Sequence, residues 1–157
     1  MTAYQIQAAN CEDIPALIKL LDMLFTIEQD FTPNHAAQHK GLDLLLQQTD
    51  TAYIAVARHA DGTAIGMASA QLVVSTAEGA FSAWIEDVVV DANYRQHGIG
   101  SALLTDVLNW AAIKGATRAQ LLADMDNTPA LDFYQRIGWK MTRLVAHRCG
   151  LVKQTEA

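Results

Sequence analysis

The feature that most constrains this chain is the run from Ile85 to Leu104. There a β-branched stretch, Val88-Val89-Val90, is followed by a polar turn and then by Gly98-Ile99-Gly100, which opens an amphipathic segment. Such a run reads as strand, glycine loop and helix. The N–H groups of a helix's first turn lack intrahelical acceptors, and the positive end of the helix dipole lies behind them, so the junction favours an anion such as a phosphate. Gly98 and Gly100 carry no Cβ to hold a pyrophosphate away from those amides, and Arg95 adds a permanent cation at the mouth. A mononucleotide P-loop would need Lys and then Ser or Thr after its last glycine, where this chain has Ser101-Ala102. A dinucleotide fingerprint would need a third small residue where Leu103 stands.

The flanking sequence supplies an ordered set of elements. Tyr4 to Ala8 alternates like an opening strand, and Asn10 with Asp13 marks a helix start. That helix carries Ile14, Leu17, Ile18, Leu21, Leu24 and Phe25 at helical spacing, with Pro15 tolerable in its first turn, and fades near Glu28 to Asp30. After Pro33 and Asn34 a second helix is expected, with Leu42, Leu45 and Leu46 on one face. Tyr53 to Arg58 and Ala64 to Val74 flank Asp61-Gly62 and predict an antiparallel hairpin. A flexible link from Ser75 to Ala80 then leads to the strand Phe81 to Val90. A third helix runs to about Lys114 with Gly115 as its cap, and Thr117 to Ala123 reads as the next strand. Strand, helix and strand in succession predict parallel neighbours joined by a right-handed crossover. Asn127-Thr128-Pro129 starts a last helix, Gly138 ends it, and Trp139 to Arg148 is expected to close the sheet.

Arg95-x-x-Gly98-x-Gly100 after a strand resembles the acetyl-CoA loop of the GNAT N-acetyltransferase superfamily. The segment Asn127 to Trp139, with Ala130, Phe133, Tyr134 and Gly138, resembles a second motif of that family. The order of elements is similar over nearly the whole chain. The resemblance implies an α/β (α+β) fold with a single mixed, mostly antiparallel sheet, a splayed parallel pair of central strands and helices on both faces. It also implies that acetyl-CoA is the acetyl donor. On that likeness the amides of Gln96, Gly98, Gly100 and Ser101, in the loop that includes Arg95, His97 and Ile99, would hold the pyrophosphate. The backbone of Val88, Val89 and Val90 would pair with the pantetheine arm and the acetyl group. Asn127 would hydrogen-bond the cofactor, cap its helix, or do both. The His97 side chain is expected in solvent.

Acetyl transfer to an amine needs a neutral nucleophile, and removing a proton from an alkylammonium of pKa near 10 at neutral pH costs about 4 kcal/mol. A carboxylate in a largely apolar strand is a candidate base, because burial raises its pKa toward the working range. Glu86 is that candidate, placed before Arg95 as in the diamine acetyltransferases, which the Glu-Asp-hydrophobic strand and Tyr94-Arg95 resemble locally. Asp87 is its rival, since strand neighbours face opposite sides unless a bulge intervenes. Tyr134, whose hydroxyl pKa is close to that of an alkyl thiol, is the expected proton donor to the leaving sulfur as well as a cofactor contact, and Phe133 is expected in the core. Glu28, Asp30 and Phe31, at the end of the first helix, are the expected amine-selecting residues.

At 157 residues the chain fits one domain, 1–157. No apolar run approaches the roughly 18 residues of a membrane span, and the first residues lack the pattern of a signal peptide. Cys11 and Cys149 are far apart and lack metal-ligand spacing, so a cytoplasmic location is expected. His35 and His39 have helical metal spacing but no third ligand, and no metal is expected. The formal charge of −6 argues against non-specific nucleic-acid binding and favours a cationic partner. The reading is an acetyl-CoA-dependent N-acetyltransferase acting on a small-molecule or peptide amine, without a membrane partner. The alternative is a non-catalytic acyl-CoA sensor of the same fold. Terminal strands could support a homodimer.

Overall fold

The computed structural model describes residues 3–151. They divide into two compact units, one up to Asp124 and one from Met125.

The first unit is a sheet with helices on both faces. Its elements are β1 (Tyr4–Ala8), α1 (Ile14–Ile27), α2 (His35–Gln47), β2 (Ala52–His59), β3 (Ala64–Ser75), β4 (Ala80–Val90), α3 (Ile99–Ile113) and β5 (Ala116–Leu121). The five strands lie in sequence order. All pairs are antiparallel except β4 and β5, which run parallel as the crossover pattern predicts. Asn10 and Asp13 form a reciprocal capping box at the entry to α1, and Asn34 caps α2. The link from Ser75 to Ala80 forms a turn: Gly79 N–H donates to the Ser75 carbonyl at 2.9 Å, and Gly79 takes φ 62 to close it.

Alternation along the strands sorts the core into two layers. Ile54, Val56, Met67 and Val89 pack with Leu17, Leu20, Leu21 and Leu24 of α1 and with Leu42 of α2. The opposite face carries small residues, Ala55, Ala57, Gly66, Ala68 and Ala70, against which α3 lies. Tyr53 fastens that helix: its hydroxyl donates to Asp106 at 2.7 Å, and its ring stacks on Trp110 at 5.3 Å. Gly66 sits where strand and helix come closest. A Cβ there would stand 3.0 Å from the Val89 carbonyl oxygen and 3.1 Å from Leu103 Cδ1.

In the second unit α4 (Thr128–Arg136) is capped by Asn127, has Pro129 in its first turn, and is followed by Gly138 at φ 91. The expected strand from Trp139 to Arg148 is absent: residues 139–151 carry no strand. Met141, Leu144 and Val145 are exposed, so β-forming side chains alone, without an apolar surface to cover, do not make a strand there. The parallel pair consequently lies at one end of the five-stranded sheet rather than at its centre.

Gly66→Ala should lower stability by about 1–3 kcal/mol, because one neighbour of the new methyl is backbone that cannot rotate away. Denaturant unfolding of the variant beside the parent checks this.

Candidate active site

The pairing of β4 with β5 stops at Ile85 opposite Leu121, whereas β4 continues to Val90. Glu86 to Val90 therefore have no partner on the β5 side, which is the splay expected of this pair. On the other side Met67 faces Val89, and Asp91 N–H donates to the Ile65 carbonyl at 2.9 Å. Antiparallel alternation then commits the Val89 peptide groups to β3 and turns those of Val88 and Val90 toward the open side. Of the three valines expected to offer backbone partners, only Val88 and Val90 point into the gap.

The chain next makes a short 3-10 turn, Ala92–Tyr94, capped by Asp91. Arg95 follows in extended conformation, and its Nε donates to the Val90 carbonyl at 3.0 Å, which holds the guanidinium at the end of β4. Gln96 and Gly98 both take left-handed backbone, φ 64 and φ 78. His97, between them, bonds through Nδ1 to the carbonyls of Arg95 at 2.7 Å and Tyr94 at 3.2 Å, so its side chain folds back onto the loop. Gly98 is the N-cap of α3, and no side chain caps that helix. The amides of Ile99, Gly100 and Ser101 are left without intrahelical partners, and no side chain competes for them. Glycine loop, dipole and nearby cation are the elements that a pyrophosphate requires.

A bulge interrupts β4 beside this gap. Two residues, Asp87 and Val88, stand opposite the single residue Ala68, and Asp87 takes φ 54. The bulge removes the alternation that would have sent Glu86 and Asp87 to opposite faces. Ser69, the register partner of Glu86, donates its hydroxyl to the Glu86 carbonyl at 3.1 Å and stands 3.4 Å from an Asp87 carboxylate oxygen. Burial, reinforced by the charges of Glu86 and Glu28, pushes Asp87 up to about 7 against the opposing Ser69 bond. Glu28, half-buried just past the end of α1, is also raised, first by burial and then by the charges of Asp124, Asp30 and Glu86. Glu86 itself is exposed and accepts a 2.8 Å bond from Trp84 Nε1.

Two expected groups thus converge, with a further carboxylate beside them. The α1 end supplies Glu28 and Asp30, the bulge supplies Glu86 and Asp87, and Asp124 joins them. Phe31 is partly exposed and packs on Phe25 with ring centroids 5.4 Å apart. Sequence reasoning missed Ser69 and Asp124, which no motif marks, and left Trp84 unassigned between cleft wall and outer face. Its bond to Glu86 places it on the carboxylate face. In the second unit Tyr134 contacts Phe133 and Trp139 with centroids 5.3 and 5.9 Å apart, and the Asn127 side chain accepts from Ala130 N–H. His35 is engaged by Asp22 at 2.7 Å, and no group of three or more His, Cys, Asp or Glu able to hold a metal occurs among the described residues. Nor is any helix among them long and apolar enough to cross a membrane.

Comparison with known proteins finds acetyltransferases. An uncharacterized N-acetyltransferase of Methanocaldococcus jannaschii is 30% identical over 81 residues, which is 52% of this chain but only 36% of that protein's length. An aminoglycoside N(6')-acetyltransferase type 1 of Salmonella typhimurium is 28% identical over 72% of this chain and 78% of its own. Among solved structures, an aminoglycoside acetyltransferase from an uncultured soil metagenomic sample, in complex with sisomicin, superimposes with a TM-score of 0.75. That likeness holds at 25% identity over 96% of this chain and 97% of that one. The model of the acetyltransferase (GNAT) family matches residues 21–139, and the chain belongs to that family.

Proposed function

We propose that this protein transfers acetyl from acetyl-CoA directly to a primary amine of a small molecule that carries more than one positive charge. The observation that carries the reading is the cluster of carboxylates at the β4 bulge, beside a strand edge and a helix N-terminus with the properties an acyl-CoA needs. Glu28, Asp30, Glu86, Asp87 and Asp124 make a negative site, and Glu28 and Asp87, raised first by burial and then by neighbouring carboxylate charge, are relieved when cations arrive. The similarity to aminoglycoside acetyltransferases supports the same class of acceptor.

When bound, acetyl-CoA supplies an activated thioester. The chain's part is to hold and orient it: the Gln96, Gly98, Gly100 and Ser101 amides with Arg95 for the pyrophosphate, the open-side peptide groups of Val88 and Val90 for the arm, and Asn127 as a further contact. Positioning of the amine against the thioester supplies much of the rate. One of the two β4 carboxylates takes the proton from the amine. What favours Asp87 over Glu86 is its value of about 7, which leaves it ionised yet basic near neutral pH. Accepting from an alkylammonium then costs about 4 kcal/mol, within reach of a working enzyme. Glu86, exposed and fixed by Trp84, suits a second ammonium of the acceptor. Tyr134 gives a proton to the departing thiolate.

If Asp87 is the base, kcat/KM should fall about tenfold per unit below pH ~7. Asp87→Asn should abolish that limb and lower kcat/KM by roughly 10²–10⁴. A profile that keeps its limb in Asp87→Asn and loses it in Glu86→Gln would transfer the role to Glu86. Stability supplies an independent check on the same group. The folded state retains the Asp87 proton up to about 7, whereas the unfolded chain releases it near the ordinary value of 3.8. The folded state is therefore favoured most below that ordinary value and loses ground as pH rises through the window. Asp87→Asn should raise the melting temperature at pH 8 relative to the parent and leave it little changed at pH 4.

Tyr134→Phe should lower turnover roughly 10²-fold with little change in acetyl-CoA binding. Unchanged turnover would remove Tyr134 from the mechanism. Thiol release measured across aminoglycosides, polyamines, amino acids and lysine peptides should be greatest with polycationic acceptors and should weaken as salt rises. Equal rates with singly charged amines would refute the acceptor class, and CoA binding without release for any amine would favour a sensor.

A further inference from the structure

We propose that His97 is a positioning residue that locks the Arg95–Gln96 peptide with its N–H turned toward the anion. The inference rests on the reading of the loop as the pyrophosphate site. Both groups that His97 Nδ1 meets, the Arg95 and Tyr94 carbonyls, are acceptors only, so Nδ1 carries the ring's proton. In a trans peptide the C=O and the following N–H point in opposite directions. Holding the Arg95 carbonyl beneath the imidazole therefore aims the Gln96 N–H out of the loop on the other side, among the amides that the pyrophosphate would meet.

The loop needs this lock because its own backbone opposes it. Arg95 at φ −67, ψ 162 followed by Gln96 at φ 64 is close to a type II turn, whose second central position favours glycine. A non-glycine residue there prefers the alternative in which the intervening peptide has flipped and φ is negative. The flip would turn the Arg95 carbonyl, rather than the Gln96 N–H, toward the ligand, replacing attraction of an anion by repulsion. Of the two His97 contacts, the shorter one, to the Arg95 carbonyl, is made only to the unflipped peptide, so it biases the loop toward the binding-competent form. Gly98, also left-handed, pays no such cost.

Calorimetric titration with CoA tests the lock without relying on turnover. His97→Ala should raise the CoA Kd about tenfold, equivalent to about 1.4 kcal/mol, and the loss in assays should fall on acetyl-CoA KM rather than on acceptor KM. His97→Asn, whose amide N–H can reach the same carbonyl, should recover most of the affinity. Gln96→Gly in the His97→Ala background should recover it too, because glycine takes positive φ without the imidazole's help. Undiminished CoA affinity in His97→Ala, or a loss that Gln96→Gly leaves unrescued, would overturn the proposal. Nitrogen NMR of the free parent should show His97 protonated at Nδ1, and the opposite tautomer would overturn the proposal whatever the ligand. A parent that binds no CoA but has the Nδ1–H tautomer would instead remove the proposed function.

Discussion

The site depends on one interruption: β4 keeps its parallel partner only as far as Ile85 and then runs on alone to Val90. Backbone N–H and C=O groups must find partners, so a strand that loses its neighbour partway presents a polar edge that calls for water or for an extended ligand. The connection that creates the gap also opens the helix whose uncapped amides we assign to the pyrophosphate. To leave β4 and return as a parallel β5, the chain must cross over through α3, and the first turn of that helix opens at the end of β4 where the strand is unpaired. Gly98 in left-handed conformation makes the junction and leaves the helix uncapped. An unpaired strand edge and an uncapped cluster of helix amides are thus two consequences of one crossover.

What lies on the other side of β4 is held against local preference. The bulge costs a left-handed non-glycine residue at Asp87, about 1–3 kcal/mol by the usual measure, and gathers like charges in a partly desolvated place. Isolated, such an arrangement would be relieved by turning one carboxylate outward. Here the Ser69 hydroxyl ties the Glu86 carbonyl, and the indole of Trp84 holds the Glu86 side chain. The end of α1 brings Glu28 to the same place. Strain and like-charge repulsion concentrated beside an open strand edge are what the proposed cationic acceptor would relieve.

The rest of the molecule serves to hold these pieces still. Small residues on one face of β2 and β3 let α3 approach closely, with Gly66 at the tightest point and Tyr53 bonded to Asp106. The larger aliphatic side chains of the other face key α1 to the sheet, and that packing sets where Glu28 and Asp30 end up. Both flanks of the site are therefore positioned by ordinary burial, and the polar chemistry is confined to the seam between them.

The sequence by itself determined the elements and the glycine loop, because caps, turn residues and hydrophobic spacing are local. Asn10, Asn34, Gly98, Gly115 and Asn127 stand where helices start or stop, and the Asp61-Gly62 turn joins its two strands. It also placed Glu86 and Asp87 together, yet the choice between them turned on whether strict alternation held. Only the tertiary structure decided that it does not: the bulge opposite Ala68 depends on register with β3, and register is a property of two strands rather than of one. The same reason kept Ser69 and Asp124 out of view, since nothing in their neighbours along the chain marks them. The expected closing strand from Trp139 to Arg148, absent from the structure, was likewise beyond local signals, because strand pairing is not written in the residues of one segment. The elements follow from interactions within a few residues; the electrostatics of the site follow from distances between residues far apart in the chain, which packing alone sets.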